Sequence, residues 1–144
     1  MAQYQQIDRE LRQFLDQIRG ASRPAPPQIA RLLTYVHEHL FEPDLNVKVV
    51  KAQCQFYDNN ITLRFHNAIG MGLREYIERL RLEAAKHLLG RSFPIYVVAM
   101  AVGYSYPETF CRAFRRQYGL NPSGQQESAG GRQIVKKENQ EETS

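Results

Sequence analysis

Arg112, Arg115 and Arg116 fall close together in the stretch from Ile95 to Gln126, IYVVAMAVGYSYPETFCRAFRRQYGLNPSGQQ. Guanidinium groups clustered on one surface suit a polyanion, because each can hold a phosphate and a well-placed one can read a base edge. Their spacing against the apolar residues says how they are presented. Phe110, Ala113, Phe114 and Tyr118 recur at helical spacing, which leaves Thr109, Arg112, Arg115 and Arg116 on the flanks of a helix. Ser105-Tyr106-Pro107-Glu108 opens that helix with a capping-box pattern and a proline in the first turn. A shorter apolar helix precedes it and ends at Gly103, whose missing Cβ allows the positive φ of a sharp corner. Two short helices, a tight turn and one basic face are the layout of a helix-turn-helix whose second helix can enter a major groove.

The rest of the chain has to hold that unit in place. At 144 residues with 42% apolar content there is room for one core, but not for a DNA reader plus a separate catalytic or sensory domain. The net charge of +4 is modest, yet its placement is informative. Residues 27–126 carry 12 Lys/Arg against 8 Asp/Glu, and residues 127–144 carry 3 against 4, so the positive excess lies in the folded part. Cys54 and Cys111 read as buried thiols of a reducing compartment rather than a disulfide framework. With no secretory leader and no long apolar run, the expected location is the cytoplasm, with no membrane partner.

Residues 3–19 form a helix in which Tyr4, Ile7, Leu11, Phe14 and Ile18 step by three and four, the alternation of a coiled-coil seam. The stripe has three possible uses: docking on the domain's own surface, pairing in a homodimer, or serving as the remnant of a larger regulatory region. Ala21 to Pro27 is a proline-rich linker. Ile29, Leu32, Leu33, Val36 and Leu40 then mark an amphipathic helix ending before Pro43. His37 and His39 point to different sides of it and read as surface histidines, not joint metal ligands. Leu45 to Ile69 is a second candidate helix pair with its turn near Gln55 to Asp58, where Asp58 is placed to cap the following helix. Leu73 to Leu89 is the longest helix, roughly 25 Å at 1.5 Å per residue. Glu78 and Arg81 on it read as a solvated pair. The polar residues after Gln126 read as a disordered tail.

The run YIERLRLEAAKHLL, the spacer GRSFPI and then VAMAVGYSYPETFCRAFRRQYGLNP resemble the signature of the C-terminal DNA-binding domain of the AraC/XylS class of bacterial transcription regulators. The matching positions include Tyr76, Arg81, Leu82, Ala85, Leu88, Leu89, Ile95, Ala99, Gly103, Tyr104, Phe110, Phe114, Arg115, Gly119 and Pro122. The resemblance covers about residues 29–126. It implies an all-α fold of two helix-turn-helix subdomains joined by a long linker helix, about seven helices in all, here with an N-terminal helical extension. The expected division is 1–26 for the extension and linker, 27–126 for the DNA-binding domain and 127–144 for the tail. The implied function is sequence-specific binding of duplex DNA to regulate transcription, with no cofactor. RNA polymerase is a candidate further partner.

Carried over position by position, the second reading helix presents Pro107, Glu108, Thr109 and Arg112, with Arg112 suited to guanine and Arg115 and Arg116 to phosphates. The first reading helix presents Asn59, Asn60 and Thr62. Leu63 stands where the class often has arginine, and Arg64 follows about 100° further round. Gln55 replaces the turn glycine, Lys51 a small residue, Tyr106 the usual cap of the second unit, and Gln126 a terminal arginine. Two readers on a fixed rod would engage major-groove segments about 34 Å apart. The chain shows no glycine-rich phosphate loop, metal-spaced cluster or nucleophile-histidine-acid set, so an enzyme is not expected. The rival is a protein-interaction module that kept the fold and no longer binds DNA specifically.

Overall fold

The computed structural model of the chain describes residues 2–21, 24–57 and 60–130. Among these residues there are eight helices and no strand. They are α1 (Ala2–Gly20), α2 (Pro27–His39), α3 (Val47–Gln53), α4 (Asn60–Ile69), α5 (Leu73–Leu89), α6 (Ile95–Ala101), α7 (Pro107–Tyr118) and α8 (Pro122–Gly130). The chain divides into two compact units, residues 1–81 and 82–144, and the boundary falls inside α5.

The core of the first unit is built on the spacings of three and four that each helix carries. Ile29, Leu32 and Val36 of α2, Val50 of α3, Ile61 and Phe65 of α4, and Leu73 and Ile77 of α5 are all buried in it. The stripe of α1 is satisfied within this unit. Ile7 and Leu11 are buried, Phe14, Leu15 and Ile18 pack on the core, and the rings of Phe14 and Phe41 lie 6.3 Å apart. Only Tyr4 of the expected seam is largely exposed, at 57%. A lone helix of this length is marginal in water, so burial of this stripe is what holds it.

Polar groups inside the unit join elements far apart in sequence. Arg81 is not the solvated partner of Glu78 that its spacing suggests, because its side chain is buried. Its Nε donates to the carbonyl of Leu40 at 2.8 Å and its Nη2 to that of Glu42 at 2.6 Å, just beyond the end of α2. Leu40 is the C-cap of α2, and the Glu42 carbonyl two residues on also accepts from the Leu45 N–H at 3.1 Å, so the guanidinium ties together the negative end of the helix and the turn that follows it. Arg31 does the same for α3, donating from Nη2 to the Cys54 carbonyl at 2.8 Å while lying 4.7 Å over the Phe56 ring.

His37 also departs from expectation. It is buried on the α2 stripe, and its Nε2 shares a 2.7 Å hydrogen bond with the Tyr76 hydroxyl of α5. Tyr76 in turn meets Phe65 of α4 edge-on at 5.6 Å. One side chain of α5 thus touches both α2 and the helix that follows the first turn.

In the second unit, Leu82, Ala85, Leu88 and Leu89 of α5, Val98 and Ala99 of α6, Val102, and Phe110 and Phe114 of α7 are fully buried. Aromatic rings run in sequence from Tyr104 to Phe110, Phe114 and Tyr118 at 5.5, 5.7 and 4.7 Å, and Lys86 Nζ sits 4.7 Å over the last. Gln126 Nε2 donates to the Phe93 carbonyl at 2.6 Å, tying α8 to the segment before α6. The helix α8 continues to Gly130, four residues past the domain limit read from the sequence, and residues 131–144 of the expected tail lie outside the described residues.

Two outcomes follow for stability. Arg81→Ala should destabilise the chain by about 2–4 kcal/mol in denaturant melts, since it removes two hydrogen bonds made by a buried guanidinium, and Arg81→Lys should recover only part of the loss. Burial, with the Arg19 charge adding to it, holds His37 below its ordinary pKa of 6.5. The unfolded chain therefore binds the proton more readily, so this contribution is complete above about pH 6.5 and is lost as pH falls below it. Melting temperatures taken between about pH 7.5 and 5 should fall on acidification, and should fall less in His37→Gln.

Candidate nucleic-acid interface

The second helix-turn-helix is built from α6, the corner at Val102 and Gly103, and α7. Val97, Val98 and Ala99 bury one side of α6, and Val102 closes the helix with its N–H directed to the Val98 carbonyl at 3.1 Å. Gly103 then takes φ 107°, and the next N–H, that of Tyr104, returns to the Ala99 carbonyl at 2.9 Å. That bond over five residues reverses the chain within one turn. The capping box expected at Ser105 does not form: the N-cap is Tyr106, extended at φ −128° and ψ 125°, with no side-chain cap bond. Proline supplies the reason. A residue before proline is pushed out of the helical region, so the helix cannot begin at Tyr106 and begins at Pro107.

Along α7, Phe110, Ala113 and Phe114 are buried. Glu108, Thr109, Arg112, Arg115 and Arg116 are exposed and Pro107 is half-buried. At about 100° per residue, Glu108, Arg112 and Arg115 form a stripe on the side away from the two phenylalanines. Among the described residues, neither the Arg112 nor the Arg115 guanidinium has a hydrogen-bond or ion-pair partner within the chain. The helix ends at Gly119 in the left-handed conformation, with its N–H bonded to the Arg115 carbonyl at 2.8 Å.

The first helix-turn-helix has the same construction with different residues. Asn46 caps α3 by accepting from the Val49 N–H at 2.9 Å. Cys54 ends the helix, Gln55 takes φ 62°, and the Phe56 N–H returns to the Lys51 carbonyl at 2.8 Å. Gln55 therefore bears the positive φ that Gly103 supplies in the second unit. Burial pushes the Cys54 thiol above its ordinary pKa, which keeps it protonated and inert at the corner.

On α4 the buried pair is Ile61 and Phe65, again four apart. Asn60, Arg64 and Asn67 are exposed and Leu63 is 60% exposed, whereas Thr62 is half-buried beside the core pair. Asn59 and Asp58 lie outside the described residues. The outward face of α4 thus has Leu63 at its centre with Asn60, His66 and Asn67 around it, all exposed, and Arg64 on its flank. Asn67 was legible as the residue two turns after Asn60, but a reading centred on the first turn misses it. Aligned on the buried pairs, Leu63 holds the register of Arg112, and Tyr57, 82% exposed, that of Tyr106, 68% exposed.

Comparison with known proteins agrees with this construction. Residues 58–128 match a family described as a helix-turn-helix domain. Regulatory protein SoxS of Escherichia coli is 34% identical over 96 residues, which is 66% of this chain and 89% of that protein. The chain belongs to the AraC family. Among solved structures, the C-terminal domain of AraT, a response regulator from Geobacillus stearothermophilus, has a TM-score of 0.72 at 22% identity, covering 75% of this chain and 90% of that one. The DNA-binding domain of AdpA, solved in complex with a target DNA, has a TM-score of 0.65 at 24% identity, covering 72% and 93%. These two likenesses concern the fold. Within this AraC-family chain, the outward helices α4 and α7 differ in side chains.

The non-glycine corner carries a measurable strain. Gln55→Gly should stabilise the chain by about 0.5–1 kcal/mol, whereas Gly103→Gln should cost more than 1 kcal/mol or so, as read from denaturant midpoints.

Proposed function

We propose that this chain is a sequence-specific DNA-binding regulator of transcription in which α4 and α7 each enter a major-groove segment of duplex DNA. The observation that carries the reading is the outward stripe of α7, where Arg112 stands exposed at the centre of a helix whose opposite side is fixed by Phe110 and Phe114. Arginine at that place can donate two hydrogen bonds to guanine, and Arg115 and Arg116 one turn on suit phosphates, which set orientation. Thr109 and Pro107 border the stripe, and Glu108 lies in its first turn where a carboxylate favours the helix dipole. In the first unit, the exposure of Asn60 and Arg64 supports contacts to bases or backbone, half-buried Thr62 has less support, and Asn59 completes the set taken from the resemblance.

The domain that does this is read as residues 27–126. As a regulator it would act in the cytoplasm, meet RNA polymerase at promoters and need no cofactor. A homodimer through residues 3–19 would require the α1 stripe to leave the first unit, so the docked form is the one we favour. Among the described residues, no helix is long and apolar enough to cross a membrane, and no three side chains group to hold a metal ion.

Selection of sites from random duplexes, followed by binding assays at several salt concentrations, tests this reading. Arg112→Ala should relax preference at one position by about 1–3 kcal/mol. Arg115→Ala and Arg116→Ala should weaken all sequences alike and lower the salt slope by about 1 each. An affinity indifferent to salt and to duplex sequence would leave the protein-interaction module as the better account.

A further inference from the structure

We propose that Leu63 reads the 5-methyl group of a thymine, which makes the first helix-turn-helix a reader of A·T pairs. The inference rests on the DNA-binding function above and names what that unit recognises. Leu63 sits on the outward stripe of α4, 60% exposed. The core has no use for it. Ile61 and Phe65 are both fully buried and anchor the helix, and Leu63, two residues from each, lies about 200° round from either.

An isolated exposed leucine on an ordinary surface needs no explanation. This one holds the register that Arg112 holds in α7, at the centre of the helix face that the turn presents. Its chemistry selects its partner there. The base edges on the major-groove floor offer donors and acceptors with one apolar group among them, the thymine methyl. A leucine facing guanine or cytosine would strip water from polar base edges without replacing the lost bonds. Facing thymine, it buries apolar surface against apolar surface.

The neighbours on the stripe agree. Asn60 and Asn67 lie one turn before and one turn after Leu63 and are exposed. A carboxamide matches the N6 and N7 edge of adenine with two hydrogen bonds. From Asn60 to Asn67 the helix rises about 10 Å, close to three base-pair steps. The stripe therefore presents amide, methyl-binding and amide groups in succession, a pattern for an A·T-rich segment. On α7 the same register carries a guanidinium, so the two halves of the site should differ in composition.

The test uses the full chain and a duplex obtained by selection, with each thymine replaced in turn by 2′-deoxyuridine. That change removes the methyl and keeps every hydrogen-bonding group. At one position the wild-type chain should lose about 3- to 10-fold in affinity. Leu63→Ala should bind the thymine and uracil duplexes equally, both near the wild-type value on uracil. Leu63→Arg should move the preference at that position towards guanine.

The proposal is overturned if no thymine is methyl-sensitive, if the sensitivity persists in Leu63→Ala, or if Leu63→Ala leaves affinity for the selected duplex unchanged. Each of those outcomes leaves DNA binding standing. A wild-type chain that selects no duplex at all would instead remove the function on which the proposal rests.

Discussion

Arg81 holds the end of α2 by two short hydrogen bonds to backbone carbonyls, and the first unit depends on that contact. Helix ends are where a small helical domain is weakest, because the last carbonyls lose their partners as the core closes around them. Here arginines from neighbouring helices meet the need. Arg81 serves α2 and Arg31 serves α3, and Arg31 also covers the Phe56 ring. A guanidinium suits the task because its fork reaches two acceptors at once and its charge opposes the helix dipole. The cost is a buried cation, which is tolerable only while its hydrogen bonds stay made. Tyr76, on the same helix as Arg81, extends the fixation to α4 by joining His37 to Phe65. The outward stripe of α4 is therefore set by contacts on its opposite side.

The second unit reaches the same end differently. Its outward helix α7 is anchored by a run of aromatic rings from Tyr104 to Tyr118, with Lys86 over the last ring. Rings in tilted contact resist rotation of the helix about its axis, because turning it would break several contacts together. Rotation is the motion that a base-reading helix must not make: one residue's worth of turn moves every outward side chain by about 100°.

Much of this was legible in the chain. The apolar spacings from Leu73 to Leu88 give α5 with its observed limits, and the glycine-aromatic corner at Gly103 and Tyr104 gives the second turn. What local pattern could not give were partners far away in sequence. Arg81 beside Glu78 looks like a surface pair until α2 arrives to bond it, and His37 looks solvated until Tyr76 does. Both left a trace, since Arg81 follows Ile77 by four residues and His37 follows Leu33 by four, which puts each on an apolar stripe. The reading at Ser105 failed for a local reason. The backbone restriction that Pro107 places on Tyr106 overrides the capping-box pattern of the side chains. The outward stripe of α4 was hard to locate because its turn lacks glycine, so the start of the helix had no clear marker.

The two units show which features of such a reader must be kept and which are free. Both corners need a residue at positive φ followed by a bond back over five residues, and both meet it, one with Gly103 and one with Gln55. Both reading helices need a buried pair four residues apart, and Ile61 with Phe65 serves as well as Phe110 with Phe114. Neither requirement constrains the residue two places after the first member of the pair. That side chain points away from the core, so its identity costs the fold little, and it faces the centre of whatever the helix meets. Leucine in one unit and arginine in the other therefore cost the fold little, and on the function proposed above they would select different base pairs. It follows that the recognised sequence can change in one unit while the scaffold and the other unit stay as they are.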